Sequence, residues 1–190
     1  MTALLQLDTQ LSLWLHHTFS DGMLEDLLPF WRSKFFWMPL YIGVLVQLIL
    51  TIGRRRTLYW CLGVLCCIVL ADTVSSKIIK KAVKRTRPCN EATLNKQVHE
   101  LVPCGVGYSF PSSHATNHFA MATFWSLTIG QHRHRSWRLV AYFWAGSIAL
   151  AQVMVGVHYL FDVLVGGCLG VAVGWVVNRL FANFWGRISK

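Results

Sequence analysis

Charge is what this sequence has least of. Charged residues make up 14% of its 190 positions against 54% hydrophobic ones, and the mean hydropathy is positive at +0.44. A water-soluble domain carries roughly 25% charged residues, so this composition excludes that class and names the bilayer as solvent. Internal repeats, low-complexity tracts and polar linkers are also missing, which excludes repeat arrays and tethered soluble domains. The apolar N-terminal residues follow no basic stretch and Asp8 comes early, so a cleavable signal peptide is not expected. The six cysteines include no CxxC pair, which disfavours a cysteine metal site.

The hydrophobic residues that are present gather in long runs. Crossing about 30 Å of hydrocarbon takes roughly 20 helical residues, and five runs meet that need: 35–52, 57–79, 112–130, 137–158 and 161–185. The expected fold is an all-α polytopic transmembrane bundle, one domain over 1–190. Within 1–34, the acidic residues Asp8, Asp21, Glu25 and Asp26 and the pair His16-His17 make a sixth span costly. Leu4, Leu7, Leu11 and Trp14 fall on one helical face, and Met23, Leu24, Leu27, Leu28 and Trp31 form a second stripe. These read as interfacial helices at headgroup level or as ordinary core packing.

The formal net charge is +10, from 18 Lys and Arg against 8 Asp and Glu. Laid on five spans, nine bases (Arg54, Arg55, Arg56, Arg133, Arg135, Arg138, Arg179, Arg187 and Lys190) share one side, and Arg32 and Lys34 lie opposite. The other seven, Lys77, Lys80, Lys81, Lys84, Arg85, Arg87 and Lys96, join that opposite side. The positive-inside rule then favours the nine as cytoplasmic only if the seven have a catalytic task. On that reading the N-terminus and the 80–110 loop face outward, and the charge is not assigned to nucleic acid. Cys89 and Cys104 both fall in this loop. If that side is oxidising, the two are expected to pair, stabilising the fold by roughly 3 kcal/mol through loop closure.

Three polar clusters punctuate the chain at span ends: Lys80 through Arg87-Pro88, Pro111-Ser112-Ser113-His114, and His158 with Asp162. In the first, Lys77, Lys80 or Lys81, Lys84 and Arg87 recur at helical spacing, so a helix continuing to Pro88 would stack them on one face suited to phosphate oxygens. In the second, Pro111 opens a helix whose free amides can meet an anion, though Ser112 is equally an ordinary N-cap. In the third, four-residue spacing lets the Asp162 carboxylate reach one ring nitrogen of His158 and leave the other as nucleophile. His118 follows His114 by four residues, a spacing that would let both meet one metal, but no third ligand accompanies them. Asp72, alone in the second run, is expected to pair with a base such as Lys77, to face the site, or to lie close to the membrane surface.

Together the clusters resemble the type 2 phosphatidic acid phosphatase family, whose fold is similar to that of vanadium haloperoxidases. Lys80 and Arg87-Pro88 match its Lys-x6-Arg-Pro motif; Pro111, Ser112 and His114 match Pro-Ser-Gly-His, with Ser113 for Gly; His158 and Asp162 match the end of Ser-Arg-x5-His-x3-Asp. The start of that third motif reads Ala151-Gln152 instead. The resemblance implies that His158 attacks phosphorus, Asp162 orients it, and His114 protonates the leaving group. It further implies that Lys80, Arg87, Ser112 and Ser113 bind phosphate, with no metal and no cofactor.

The implied partner is a phosphorylated membrane lipid, with phosphatidylglycerophosphate, polyprenyl diphosphate and phosphorylated glycolipids as candidates. The implied location is a bacterial inner membrane with the site on its periplasmic face. Gln152 offers a neutral amide where the family carries a guanidinium, and Lys84 or Lys81 is expected to compensate. A lipid-to-lipid phosphotransferase and a catalytically weak lipid-phosphate binder remain as alternatives. The sequence neither requires nor excludes an oligomer.

Overall fold

A computed structural model describes residues 3–129 and 135–188. Arg133 and Lys190, counted above among the cytoplasmic bases, and the end of the 112–130 run lie outside the described residues. All regular elements among the described residues are helical: α1 (Ala3–Phe19), α2 (Met23–Trp31), α3 (Met38–Ile52), α4 (Arg54–Asp72), α5 (Lys80–Val83), α6 (Ser113–Thr128), α7 (Arg135–Met154) and α8 (Leu160–Ile188). A π-helical stretch, Thr73–Ile79, joins α4 to α5.

α6 is the centre of the bundle, enclosed by α4, α7 and α8. Its closest partner is α8, and the reason is a row of three glycines. A methyl group on Gly166, Gly170 or Gly174 would collide with the backbone carbonyl oxygen of Ser112, Thr116 or Ala120 respectively. Small residues at four-residue spacing let two helix backbones meet where hydrocarbon supplies no hydrophobic drive between helices. This close seam fixes the start of α6 against the start of α8, and both starts carry site residues.

The outer surface is apolar. Leu50, Leu58, Leu139, Phe143 and Leu180 are each at least 60% exposed, a girdle that water would penalise and lipid tails accept. Arg54–Asn90 and Leu160–Ala182 contain windows apolar and long enough to cross a membrane, and only 22% and 39% of those windows are buried. Their apolar residues therefore face outward instead of filling a soluble core. α3, at Met38–Ile52, is apolar but shorter.

α1 turns a polar face inward. Asp8, Ser12 and His16 are buried, whereas Leu4, Leu7, Leu11 and Trp14 point out. The outward stripe suits a helix lying at headgroup level. The inward polar residues are each satisfied: Asp8 and Ser12 accept amides of the first turn of α8, and the His16 ring meets the Met154 carbonyl at 2.6 Å and the His99 amide at 2.9 Å.

Two expectations are corrected. The helix carrying Lys77 and Lys80 does not continue to Pro88; it ends at Val83, and Lys84 takes a left-handed conformation with φ 54°. Arg87 reaches the site from extended backbone, so no single helical face stacks the four bases. The last turn of the 137–158 run is also not helical. α7 stops at Met154 and the chain reverses through Gly156, whose φ of 78° favours glycine.

Candidate active site

The three clusters converge on one open cavity of about 530 Å³ between the start of α6, the α7–α8 turn and the 80–110 loop. Lys80, Arg87, Ser113, His114 and His158 all line it. The π-helical stretch contributes Ser76, whose hydroxyl lies 2.8 Å from that of Ser113 and donates at 2.9 Å to Asp72. Asp72 therefore takes a hydroxyl partner in place of Lys77. Ser75 donates to the same Ser113 oxygen at 3.2 Å. π-Helical insertions commonly mark sites that need a side chain re-aimed, and here the insertion brings two hydroxyls onto the start of α6.

Ser112 is placed differently from Ser113. It is fully buried as the N-cap of α6, where its Oγ accepts from the Ala115 amide. Its own amide donates to the Asp162 carbonyl at 2.9 Å. Ser112 thus fastens α6 to α8, and its hydroxyl, expected to meet phosphate, is engaged in the helix cap and does not line the cavity. The amides of Ser113 and His114 follow at the positive end of the helix, where backbone donors lack intrahelical partners.

His158 enters on the turn after α7, its amide and that of Val157 both donating to the Gln152 carbonyl at 3.2 Å. Its Nδ1 lies 3.4 Å from Asp162 Oδ2, which also accepts the Tyr159 amide at 2.9 Å. Asp162 is the third residue of α8, so its carboxylate reaches back over the helix start as in a capping box. One group therefore caps α8 and orients the imidazole, leaving Nε2 as the second ring nitrogen.

The other Asp162 oxygen, Oδ1, accepts Arg85 Nη1 at 2.8 Å, and Arg85 Nη2 donates to Asp8 Oδ2 at 2.7 Å. The same guanidinium stacks over the Tyr159 ring, 3.7 Å from its centroid. Asp8 Oδ1 and Ser12 Oγ accept the Phe161 and Leu160 amides at 2.9 and 2.8 Å. α1 thereby caps α8 from outside, and Arg85 clamps its carboxylate. Neither Asp8 nor Arg85 was singled out in the sequence as a site residue; each looked like one more charge in a cluster.

Lys80 and Arg87 are held by carbonyl oxygens. Lys80 Nζ donates to Tyr108 and Ser109 at 2.7 and 3.3 Å, and Arg87 donates to Gly107 at 2.8 Å and Val157 at 3.3 Å. The Cys89–Cys104 disulfide, Cα to Cα 6.1 Å, ties the Arg87 stretch to the 105–109 stretch that supplies three of these four carbonyls. A third cation, Arg32 at the end of α2, also lines the cavity. Among the described residues none of the three has a carboxylate partner. Burial, and then the nearby Arg87, push the Lys80 ammonium down to about 8, and burial lowers both guanidinium groups from their usual range. Uncompensated cations this well enclosed are stabilised by an incoming anion.

Lys81 lines the cavity, but Lys84 is exposed beyond its rim. The base that meets Gln152 is Arg32, whose Nε donates to Gln152 Oε1 at 3.1 Å. Of the two lysines expected to compensate for Gln152, Lys81 therefore shares the cavity with Arg32 and Lys84 does not line it. His114 and His118 stack at 6.3 Å, but His118 Nδ1 lies against the His114 carbonyl and its ring packs edge-on to Trp144. Among the described residues no three His, Cys, Asp or Glu side chains converge as a metal set.

Residues 58–185 match the model of the PAP2 superfamily. A Lipid A 4'-phosphatase of Bacteroides thetaiotaomicron is 28% identical over 189 residues, 97% of this chain and 81% of that protein. The crystal structure of a transmembrane PAP2 type phosphatidylglycerolphosphate phosphatase from Bacillus subtilis superposes with a TM-score of 0.70 at 20% identity, covering 96% of this chain and 88% of that one. Aquifex aeolicus LpxE superposes with a TM-score of 0.66 at 21% identity, covering 91% and 95%.

Proposed function

We propose, from the premise that this chain belongs to the PAP2 superfamily, that it is a membrane lipid phosphatase working through a phosphohistidine on His158. The observation that carries the reading is the cavity itself. Three cations, Lys80 buried and Arg32 and Arg87 half-buried, without carboxylate partners among the described residues, face an oriented imidazole and a second histidine, which is a binding site for a phosphate dianion beside a nucleophile and an acid.

His158 Nε2 attacks phosphorus as the bond from phosphorus to the lipid oxygen breaks, and His114 gives that oxygen its proton. Water then adds to phosphorus while giving a proton back to His114, the P–N bond breaks, and inorganic phosphate leaves. Asp162 stabilises the imidazole while it carries charge. Lys80, Arg87, Ser113 and the first amides of α6 hold the equatorial oxygens, the preorganised arrangement that phosphoryl transfer relies on.

A lipid substrate is supported by a second, apolar groove of about 540 Å³, lined by Trp31, Trp37, Leu40, Val140, Phe143 and Trp144. Its Trp31 is next in sequence to Arg32 of the cavity, and we take the groove as the seat of the lipid chain. Among lipid phosphates, the similarity to a Lipid A 4'-phosphatase favours a phosphorylated glycolipid. The disulfide in the loop favours the oxidising, extracytoplasmic face of a bacterial inner membrane; with Lys80, Lys81, Arg85 and Arg87 engaged at the site, the remaining bases of the loop no longer oppose that orientation.

The test is phosphate release by purified protein from a panel of phosphorylated glycolipid, phosphatidylglycerophosphate and polyprenyl diphosphate, with chelator present and His158→Ala as control. Release fastest from the glycolipid and abolished in the variant is expected. Release that persists in His158→Ala refutes the phosphohistidine, and transfer to an added acceptor lipid in place of water identifies a phosphotransferase.

A further inference from the structure

We infer that Arg32 is a phosphate-binding residue of this site, and that Arg32 and Gln152 together replace the single arginine that the family motif places at position 152. The inference rests on the phosphate site proposed above and adds a residue to it from a segment that carries none of the family motifs.

Arg32 caps the end of α2, its amide donating to the Leu28 carbonyl at 3.1 Å. Its side chain crosses to the last turn of α7, 120 residues away in sequence, where Nε meets Gln152 Oε1 at 3.1 Å. That bond leaves both terminal nitrogens of the fork, on a residue that lines the cavity with Lys80, Arg87, His114 and His158. A guanidinium anchored through Nε presents two parallel donors, the geometry that matches two oxygens of a phosphate. Arg32 also lies near enough to His114 to bear on its charge.

Gln152 has the properties such an anchor needs. It is fully buried, and its backbone carbonyl receives the amides of Val157 and His158. One residue therefore sets both the nucleophile's turn and the heading of Arg32. Its Nε2, also buried, has no partner, so a donor remains beside the fork. An arginine at 152 would bring two guanidinium groups together, and a glutamate would neutralise Arg32; glutamine alone accepts from Nε and keeps the positive charge for the ligand.

The full chain in detergent or nanodiscs tests this with orthovanadate, a phosphate mimic, as binding probe and lipid phosphate hydrolysis as activity. Arg32→Gln is expected to lower kcat/KM about 100-fold, as for a lost transition-state donor, and to weaken vanadate binding by a similar factor. Arg32→Lys should recover part of the loss. Gln152→Glu is the discriminating variant: it keeps the bond to Nε, so the protein stays monodisperse and thermally as stable as before, yet vanadate binding falls at least tenfold. Arg32→Gln combined with Gln152→Arg should regain at least tenfold over Arg32→Gln alone.

Wild-type vanadate affinity and kcat/KM in a monodisperse Arg32→Gln protein would overturn the inference, as would a Gln152→Glu protein unchanged in both. In either case an active wild type leaves the phosphate site standing. A wild type that neither binds vanadate nor hydrolyses any lipid phosphate would overturn the site as a whole, and this inference with it.

Discussion

Asp8 lies 150 residues and more from the helix it caps, and its replacement is the sharpest test of the architecture. In Asp8→Ala the Phe161 amide loses its acceptor and Arg85 Nη2 loses its anion. A buried donor left unpaired costs about 1–3 kcal/mol. A broken buried ion pair costs about 3–5 kcal/mol, but Arg85 is 18% exposed and keeps Asp162, so only a fraction of that applies. The two losses together come to about 3 kcal/mol. At roughly 2–4 °C per kcal/mol for a chain of this size, the unfolding midpoint should fall by roughly 6–12 °C. Asp8→Asn retains an acceptor for Phe161 and should lose about half as much. Because Arg85 then clamps Asp162 with one anchor removed, kcat should fall about tenfold. KM should hold within about twofold, because Asp8 does not line the cavity. Circular dichroism melts in detergent and initial-rate kinetics give both quantities. An Asp8→Ala protein with an unshifted midpoint and full kcat would refute the claim that α1 organises the start of α8.

Three further outcomes follow from the same structure. Lys80 is protonated below about 8 and loses its charge as pH rises through that value, so kcat/KM should decline on the alkaline side with an apparent pKa near there; Lys80→Arg should move the decline upward, and a wild-type profile flat to about pH 10 would contradict the assignment. Gly170→Ala drives a methyl into the Thr116 carbonyl and should cost about 1–3 kcal/mol of stability; it should also cost activity by parting His114 from His158, whereas the same change at Gly146, where a methyl meets nothing nearer than Phe119 at 4.0 Å, should be neutral in both assays. Cys104→Ser removes a cross-link between residues 15 apart and should cost about 3 kcal/mol on the loop-entropy model; the variant should also bind phosphate more weakly because the carbonyls on Arg87 and Lys80 loosen, and a competition assay with inorganic phosphate would show it.

Much of this was legible because chemistry imposes local spacing. His158 and Asp162 are one helical turn apart, Ser112 caps α6 wherever α6 goes, and long apolar runs announce a bundle. What escaped was held by distance. Asp8 read as a cost to a membrane span because nothing nearby shows that its carboxylate meets α8. Arg32 read as a flanking charge for the same reason. The break at Lys84 was hidden by a regular spacing of bases that continues past the end of the helix. α6 illustrates the opposite limit: it is a short helix with Ser113, His114, Thr116, Asn117 and His118 in its first two turns, yet it occupies the centre of the bundle. Enclosed by α4, α7 and α8, it need not be uniformly apolar, so the 112–130 run announced the helix without marking it as the central one.

The clasp between α1 and α8 also bears on biosynthesis. A ribosome makes Asp8 and Ser12 before the amides of Leu160 and Phe161, with α2 to α7 in between. Until then the first helix waits with its polar face unsatisfied, and His158 has no fixed carboxylate. The polar face of α1 and the carboxylate that orients His158 are thus completed in one event, the docking of α8.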